Sequence, residues 1–341
     1  MSIRSRPSVQ AARLIASEMY DLISIGDSTL DIFLEFSEAQ VLCDLDKENC
    51  IICFHYADKI PVNKVTYVYA VGNAANNAIG SARLGLKAAI YTNIGQDSNG
   101  KEMLKVFESE KVDLKYVITD KERGSNLSTV LDYKGERTIF VYHEPRNYQL
   151  PEDFGPTKWI YYTSVAKNHE QLHQPLARFV SNSRCNFAFN PGSYQLREGL
   201  EILKPLMKLT KVFIVNKDEA KGLVGESVDV KFLLEGLKKY CPGLVVITDG
   251  EKGSFVHNGN EFYTCPIFPA HKIEMTGAGD AYATALLAAL FYGKTAQEAM
   301  LWGAINAASV IEKIGAREGL LTKEEIELKI AQNPNFVAKE F

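Results

Sequence analysis

Short apolar runs recur along the chain: LISIG (22–26), AAIYTNIG (88–95), WIYYTSV (159–165), NFAFN (186–190), VFIVN (212–216) and LVVIT (244–248). Apolar residues at consecutive positions predict strands covered on both faces. Between most of these runs lie stretches with helical spacing, at 99–112, 169–183, 195–209 and 230–240. This alternation predicts a mainly parallel sheet sheathed by helices. After Gly253 the pattern changes to FVHNGNEFY, where Asn258-Gly259 predicts a hairpin turn, and helices are expected at 279–292, 295–314 and 322–332.

Two segments break the alternation. Residues 32–71 carry strand-like pieces (CIICFHY, KVTYVYAV) and no helix of matching length, and 127–142 read as a hairpin turning near Lys134-Gly135. Both are expected to form a small β lid. The division predicted is a core of 19–31, 72–126 and 143–332, a lid of 32–71 with 127–142, and an extension, 1–18, outside the fold.

Composition narrows the class. The 341 residues are 46% hydrophobic and 23% charged, as in a soluble globular protein of one large domain or two. A net charge of −4 with no basic block argues against nucleic acid as a partner. No apolar run approaches the roughly 20 residues that span a bilayer. The first residues carry basic side chains without an apolar core, which argues against a signal peptide and for the cytoplasm. With no paired CxxC motifs, the six cysteines are expected as reduced thiols. Cys50, Cys53 and His55 cluster, but no second ligand pair suggests zinc.

Ligands of open α/β sheets collect at the carboxyl ends of strands. Those ends carry 26–31, Asn190-Pro191-Gly192, 216–219 and Thr248-Asp249-Gly250, which together suggest one polar cleft. EMTGAGDAYATALLAAL (274–290) adds a turn, Gly277-Ala278-Gly279, running into a helix. Unpaired N–H groups and the positive end of the helix dipole favour an anion there. Asp280 is then either an ordinary acidic residue of a first helical turn or a base beside a bound phosphoryl group. Two other motifs lead nowhere. GQDSNGKE (95–102) approaches the P-loop but puts Glu102 where a Ser or Thr would meet magnesium. HEQLH (169–173) has the letters of a zinc-protease helix, yet Pro175 should disturb its turn and no third ligand appears, so a solvated helix surface is expected.

TGAGD (276–280) resembles the C-terminal signature of the ribokinase-like (PfkB) carbohydrate and nucleoside kinases. VGNAANNAIGSARLG (71–85) is similar to the N-terminal signature, IGQDSNG to the GxDxxG motif, GDSTLD (26–31) to the first strand end, NKDE (216–219) to NxxE and ITDGEKG (247–253) to the nucleotide loop. These matches run in family order across residues 20–320. The resemblance implies a three-layer α/β/α ribokinase-like core with a mainly parallel sheet and a small β lid. It implies Asp280 as base for the acceptor hydroxyl, with the N–H groups of Gly277, Ala278 and Gly279 around the γ-phosphoryl of ATP. Asn216 and Glu219 would hold Mg2+ through waters, and Thr248, Gly250 and Asn306 would line the nucleotide site. Asp31, Gly72, Asn73 and Asn76 would bind the acceptor.

The chain departs from the pattern at two places. Val71 stands where the family often has a first glycine, and Glu274 where many members have an Asp in a loop that binds a monovalent cation, which leaves K+ open. Arg146, after the hairpin, is expected at the surface. The expected activity is ATP-dependent phosphorylation of a primary hydroxyl of a ribose- or fructose-like sugar. The alternatives are a nucleoside acceptor, with Phe54, Tyr67 and Tyr142 available for stacking, or a non-catalytic sugar-binding regulator on the same fold. A dehydrogenase would need GxGxxG after the first strand, where only Gly26 stands. Because CIICFHY is apolar on both faces, a homodimer through the lid is expected, with Cys50 and Cys53 reduced.

Overall fold

The computed structural model of the protein describes residues 19–44 and 50–341; the extension expected at 1–18 lies outside them. In chain order, β1 (Tyr20–Ile25) leads to β2 (Thr29–Glu35), the pair β3 (Gln40–Cys43) and β4 (Cys50–Cys53), and β5 (Lys64–Val71). Next come α1 (Asn73–Arg83), β6 (Ala88–Gly95), α2 (Ser98–Ser109), β7 (Asp113–Asp120), β8 (Asn126–Tyr133) and β9 (Glu136–Tyr142). Then follow β10 (Thr157–Tyr162), α3 (Glu170–Asn182), β11 (Asn186–Phe189), α4 (Ser193–Arg197), α5 (Leu200–Met207) and β12 (Val212–Asn216). The chain continues through α6 (Lys217–Val224), α7 (Val230–Lys238), β13 (Leu244–Thr248), β14 (Ser254–His257) and β15 (Phe262–Cys265). It ends with α8 (Ala278–Phe291), α9 (Ala296–Ile311), α10 (Lys323–Gln332) and β16 (Lys339–Glu340).

The main sheet has the order β16-β15-β14-β13-β12-β11-β10-β1-β6-β7. From β7 to β13 every pair is parallel, and β14, β15 and β16 add antiparallel strands at one edge. Because strand residues alternate in direction, β1 sends Ile23 and Ile25 into a core shared with Tyr162, Phe189, Phe213 and Leu234, and Leu22 into the opposite one with Tyr161, Ile214 and Leu286. Helices α8 and α9 pack on that second face, and α1 joins it through Ala74, Ala78 and Ile79 beside Ala281. Each fully buried aliphatic side chain contributes about 1.5–3 kcal/mol relative to exposure. α8 is buried along most of its length, so its first turn is fixed in space by everything that packs behind it.

A smaller sheet, in the order β5-β2-β8-β9, covers one end of the molecule. Its β8–β9 hairpin turns at Lys134 and Gly135, both with positive φ, and Asp132 faces Arg137 across it. β2 already begins at Thr29, so Asp31 lies in this sheet, whereas the division expected from sequence puts 19–31 in the core.

Three further expectations are corrected. The helix expected at 195–209 is two helices, α4 and α5, separated at Glu198 and Gly199. Cys43 and Cys50 are not reduced thiols: they are register partners of β3 and β4 and form a disulfide, while Cys53 stays free. Arg146 is buried rather than exposed, because its Nη1 donates to Asp120 Oδ2 at 2.8 Å and its Nη2 to the Gly124 carbonyl.

Candidate active site

Gly277 sits at φ 80°, and α8 starts at the next residue. A Cβ there would lie 2.4 Å from Ala316 Cβ and 2.7 Å from its Cα, so no larger residue fits. Beyond it the first helical turn presents N–H groups that have no intrahelical partner, of which that of Ala278 donates weakly to the Met275 carbonyl at 3.3 Å. Asp280 belongs to this turn, and its Oδ2 accepts a 2.8 Å hydrogen bond from Asn76 Nδ2 on α1. Burial pushes its carboxyl up to about 6, and the Asn76 amide limits the rise. At neutral pH such a group is ionised yet able to take a proton.

α1 is oriented by a second asparagine that the sequence reading passed over. Asn77 Nδ2 donates to Thr284 Oγ1 on α8 at 3.1 Å, so adjacent residues of one helix pin the other. The doubled Asn in NAANNA was the available signal. Gly72 precedes α1 at φ 98°, with the Asp27 carbonyl 3.0 Å from where a Cβ would stand. Asn73 opens the helix. Asp31 is held by Ser128, its neighbour across β2 and β8; burial raises its carboxyl to about 6, against the pull of Ser128 and of the Arg317 charge. Asp27, not foreseen, is buried and accepts from Tyr148 Oη and from the Ala166 N–H at 2.9 Å.

Asn216 and Glu219 cap α6 reciprocally. Asn216 Oδ1 accepts from the Glu219 N–H at 2.9 Å, and Glu219 Oε2 from the Asn216 N–H at 2.8 Å. Glu219 Oε1 is left outside the cap. Burial raises the Glu219 carboxyl, and the charges of Asp218 and Asp280 raise it further. Carboxylates that repel one another across a cleft suit a bound cation, so Glu219 fits Mg2+, an ion that keeps several waters. Asn216 spends its oxygen on the cap and fits that role less well.

A cavity of about 460 Å³ runs from Ala278 and Gly279 past Asn216, Thr248 and Gly250 to Phe268 and Ile311. Its far wall is apolar and its near end polar, as ligand sites commonly are. Asn306 does not line it: its amide donates to the Ala281 carbonyl at 2.9 Å and its oxygen accepts from the Leu321 N–H at 3.0 Å, while Ala304, Ala307 and Ala308 of the same helix form the wall. A wider depression of about 680 Å³ lies at the amino ends of the strands, around Thr157, Asn186 and Leu244, away from all of these groups.

A profile described as pfkB family carbohydrate kinase matches residues 39–323. The chain belongs to this family. It is therefore a phosphotransferase with an alcohol group as acceptor. A ribokinase from Haemophilus influenzae is 27% identical over 264 residues, covering 74% of this chain and 85% of its own. A cytidine kinase from Thermococcus kodakarensis is 28% identical over 269 residues, covering 72% and 88%. The fold is that of Arabidopsis thaliana ribokinase, solved with ribose and ATP, at TM-score 0.76 and 18% identity over 92% of this chain and 98% of that one.

Within this kinase fold the two discarded motifs have structural uses. Asp97 caps α2, accepting from the N–H of Gly100, and holds Ser125 through its N–H and hydroxyl, all at 2.7 Å. HEQLH is not a solvated surface. Pro175 lies inside α3 without unwinding it, His169 is buried, and its Nδ1 meets His173 Nε2 at 3.2 Å. Glu170 and Glu198 lie close to His169.

Proposed function

We propose that this kinase transfers the γ-phosphoryl group of ATP to a primary hydroxyl of a ribose- or fructose-like sugar. One observation carries the reading: an ionisable carboxylate, Asp280, lies in the first turn of α8 at the mouth of a nucleotide-sized cavity and is tied through Asn76 to the helix that follows Gly72. Asp280 takes the proton as the acceptor oxygen bonds to phosphorus. The bond from phosphorus to the β-γ bridging oxygen breaks, and ADP leaves. The N–H groups at Gly277, Ala278 and Gly279 stabilise the charge on the transferring group. Glu219 would hold Mg2+, which when bound would supply neutralisation of the phosphate charge. Asp31, Gly72, Asn73 and Asn76 orient the acceptor hydroxyls, with the smaller sheet as cover.

The cytidine kinase relative favours a second reading, a nucleoside acceptor. A coupled ATP-consumption screen over pentoses, hexoses, sugar phosphates and nucleosides decides between them. The best kcat/KM is expected on a free pentose or hexose, and a screen without any turnover would sink both. Supply of ATP supports the cytoplasm as the site of the reaction; no helix among the described residues is long and apolar enough to cross a membrane.

The assembly is a homodimer through the smaller sheet and the β3–β4 hairpin. Ile139, Phe140, Val141 and Tyr142 of β9 are all exposed, as are Leu42 and Ile51, and a second copy would cover them.

A further inference from the structure

The segment that leads into the anion-binding turn is held by a residue from the other sheet. Arg137 of β9 reaches out of the hairpin, and its Nη1 donates to Thr276 Oγ1 at 3.0 Å. The same guanidinium lies against the carboxylate of Glu274. On its own hairpin it faces Asp132 at 3.6 Å, and it stacks 5.0 Å from the ring centre of Phe33. Glu274 is almost fully buried, with 3% of its side chain exposed, and its other oxygen, Oε2, accepts from the Gly315 N–H at 2.6 Å. The N–H groups of Ile273 and Glu274 both go to the Ile311 carbonyl.

A buried carboxylate needs a partner charge, and removing that partner strands it. Here the partner comes from within the chain. A guanidinium carries only donors and stays charged in a protein. Glu274 Oε2 and Thr276 Oγ1 accept from N–H groups, and Glu274 Oε1, which makes no hydrogen bond of normal geometry, lies against the guanidinium, whose fixed charge stands where an exchangeable cation would. The residues present therefore do not fit an exchangeable ion at Glu274.

We infer that Arg137 is the resident cation of the phosphoryl-transfer loop, a positioning residue that sets residues 274–279 from the covering sheet and makes the protein indifferent to potassium. The consequence for catalysis rests on the kinase reading; the consequence for binding does not. Because Arg137 rides on β9, the loop is set only while the smaller sheet is in place. The guanidinium thus links the acceptor cover to the turn that receives the phosphoryl group.

The test compares wild type, Arg137→Gln and Arg137→Lys in chloride salts of potassium, sodium, tetramethylammonium and guanidinium at one low ionic strength. Two readouts are taken, melting temperature and initial rate on the best acceptor. Wild type should give the same Tm in every salt and rates within about twofold, since fixed charge makes no use of added ions. Arg137→Gln should lose roughly 10–100-fold in kcat from loop misplacement, with a smaller change in the KM for ATP. Potassium or guanidinium should restore part of that rate and raise the Tm of this variant alone. Arg137→Lys should keep most of the rate, because an ammonium still answers Glu274. The inference is overturned if potassium raises the wild-type rate about tenfold or its Tm, because the site then takes an ion. It is also overturned if Arg137→Gln turns over like wild type, or if no cation rescues it and Arg137→Lys is equally impaired. A protein inactive on every acceptor would remove the kinase reading, and the Tm comparison would still judge Arg137. If Arg137→Gln does not fold, the wild-type salt series and Arg137→Lys carry the same decision.

Discussion

At Asp280 two demands meet on one carboxylate: ionisation for its proposed role as base, and burial by α1 and α8. With a carboxyl pushed up to about 6, kcat should fall on the acid side of pH 6 as the base is protonated, with unit slope. Asn76→Ala removes the hydrogen bond that favours the ionised form, so it should move this limb to higher pH. A pH–rate profile unchanged by that substitution would remove Asp280 from the role. Asp280→Asn should lower kcat by about 10²–10⁴ while ATP binding persists. The sign for stability is opposite. A carboxyl raised above its usual value makes ionisation costly to the fold, by at most about 3 kcal/mol, fully felt above pH 6 and absent below the usual value. Asp280→Asn should therefore raise the Tm at pH 7 and leave it nearly unchanged at pH 3, as calorimetry at the two pH values can read.

The site depends on elements as much as on side chains. The start of α8 is set by Gly277, whose left-handed backbone and contact with Ala316 leave no room for a methyl group. Gly277→Ala adds about 1–2 kcal/mol of backbone strain to a clash and should turn the first helical N–H groups away from the phosphoryl. Circular dichroism should find the fold kept and the Tm lowered, with kcat reduced about tenfold or more. α6 behaves differently, because its capping pair and its proposed metal role share one carboxylate. Glu219→Gln keeps the acceptor oxygen for the cap but loses the charge. The apparent affinity for magnesium should weaken by roughly 10–100-fold with little change in helix content. A magnesium titration of the rate measures it, and an unchanged half-saturation would remove Glu219 from the metal.

On the scale of the whole molecule, the smaller sheet leaves apolar side chains in water that a monomer of this size seldom tolerates. The apolar run CIICFHY, which holds Ile52 and Phe54, led to the expectation of a dimer through the lid. In the structure Ile52 is half-buried and Phe54, though 39% exposed, packs on Phe36 with ring centres 5.5 Å apart, whereas Phe140 is 61% and Val141 59% exposed. Phe140→Lys with Val141→Lys should convert dimers to monomers in light scattering and raise the acceptor KM, because the cover loses its support. Wild-type monomers at micromolar concentration would overturn the dimer.

Sequence by itself determined the strand–helix alternation, the two hairpins, the glycine turn before α8 and the letters of the candidate cleft. All of these are local: they follow from side-chain period, turn chemistry and the spacing of neighbours along the chain. Even the capping pair of Asn216 and Glu219 is three residues apart. What tertiary structure decided is who answers each polar group. Asn306 looked like a cleft residue but is spent on Ala281 and Leu321, Arg146 looked exposed but is buried on Asp120, and Cys43 met Cys50 only because β3 and β4 pair in that register. Arg137 and Glu274 lie 137 positions apart, one on β9 and the other in the loop before α8. Periodicity carries no record of such a pairing. A buried charge takes whichever partner the fold brings within reach, and that is known only once the elements are packed.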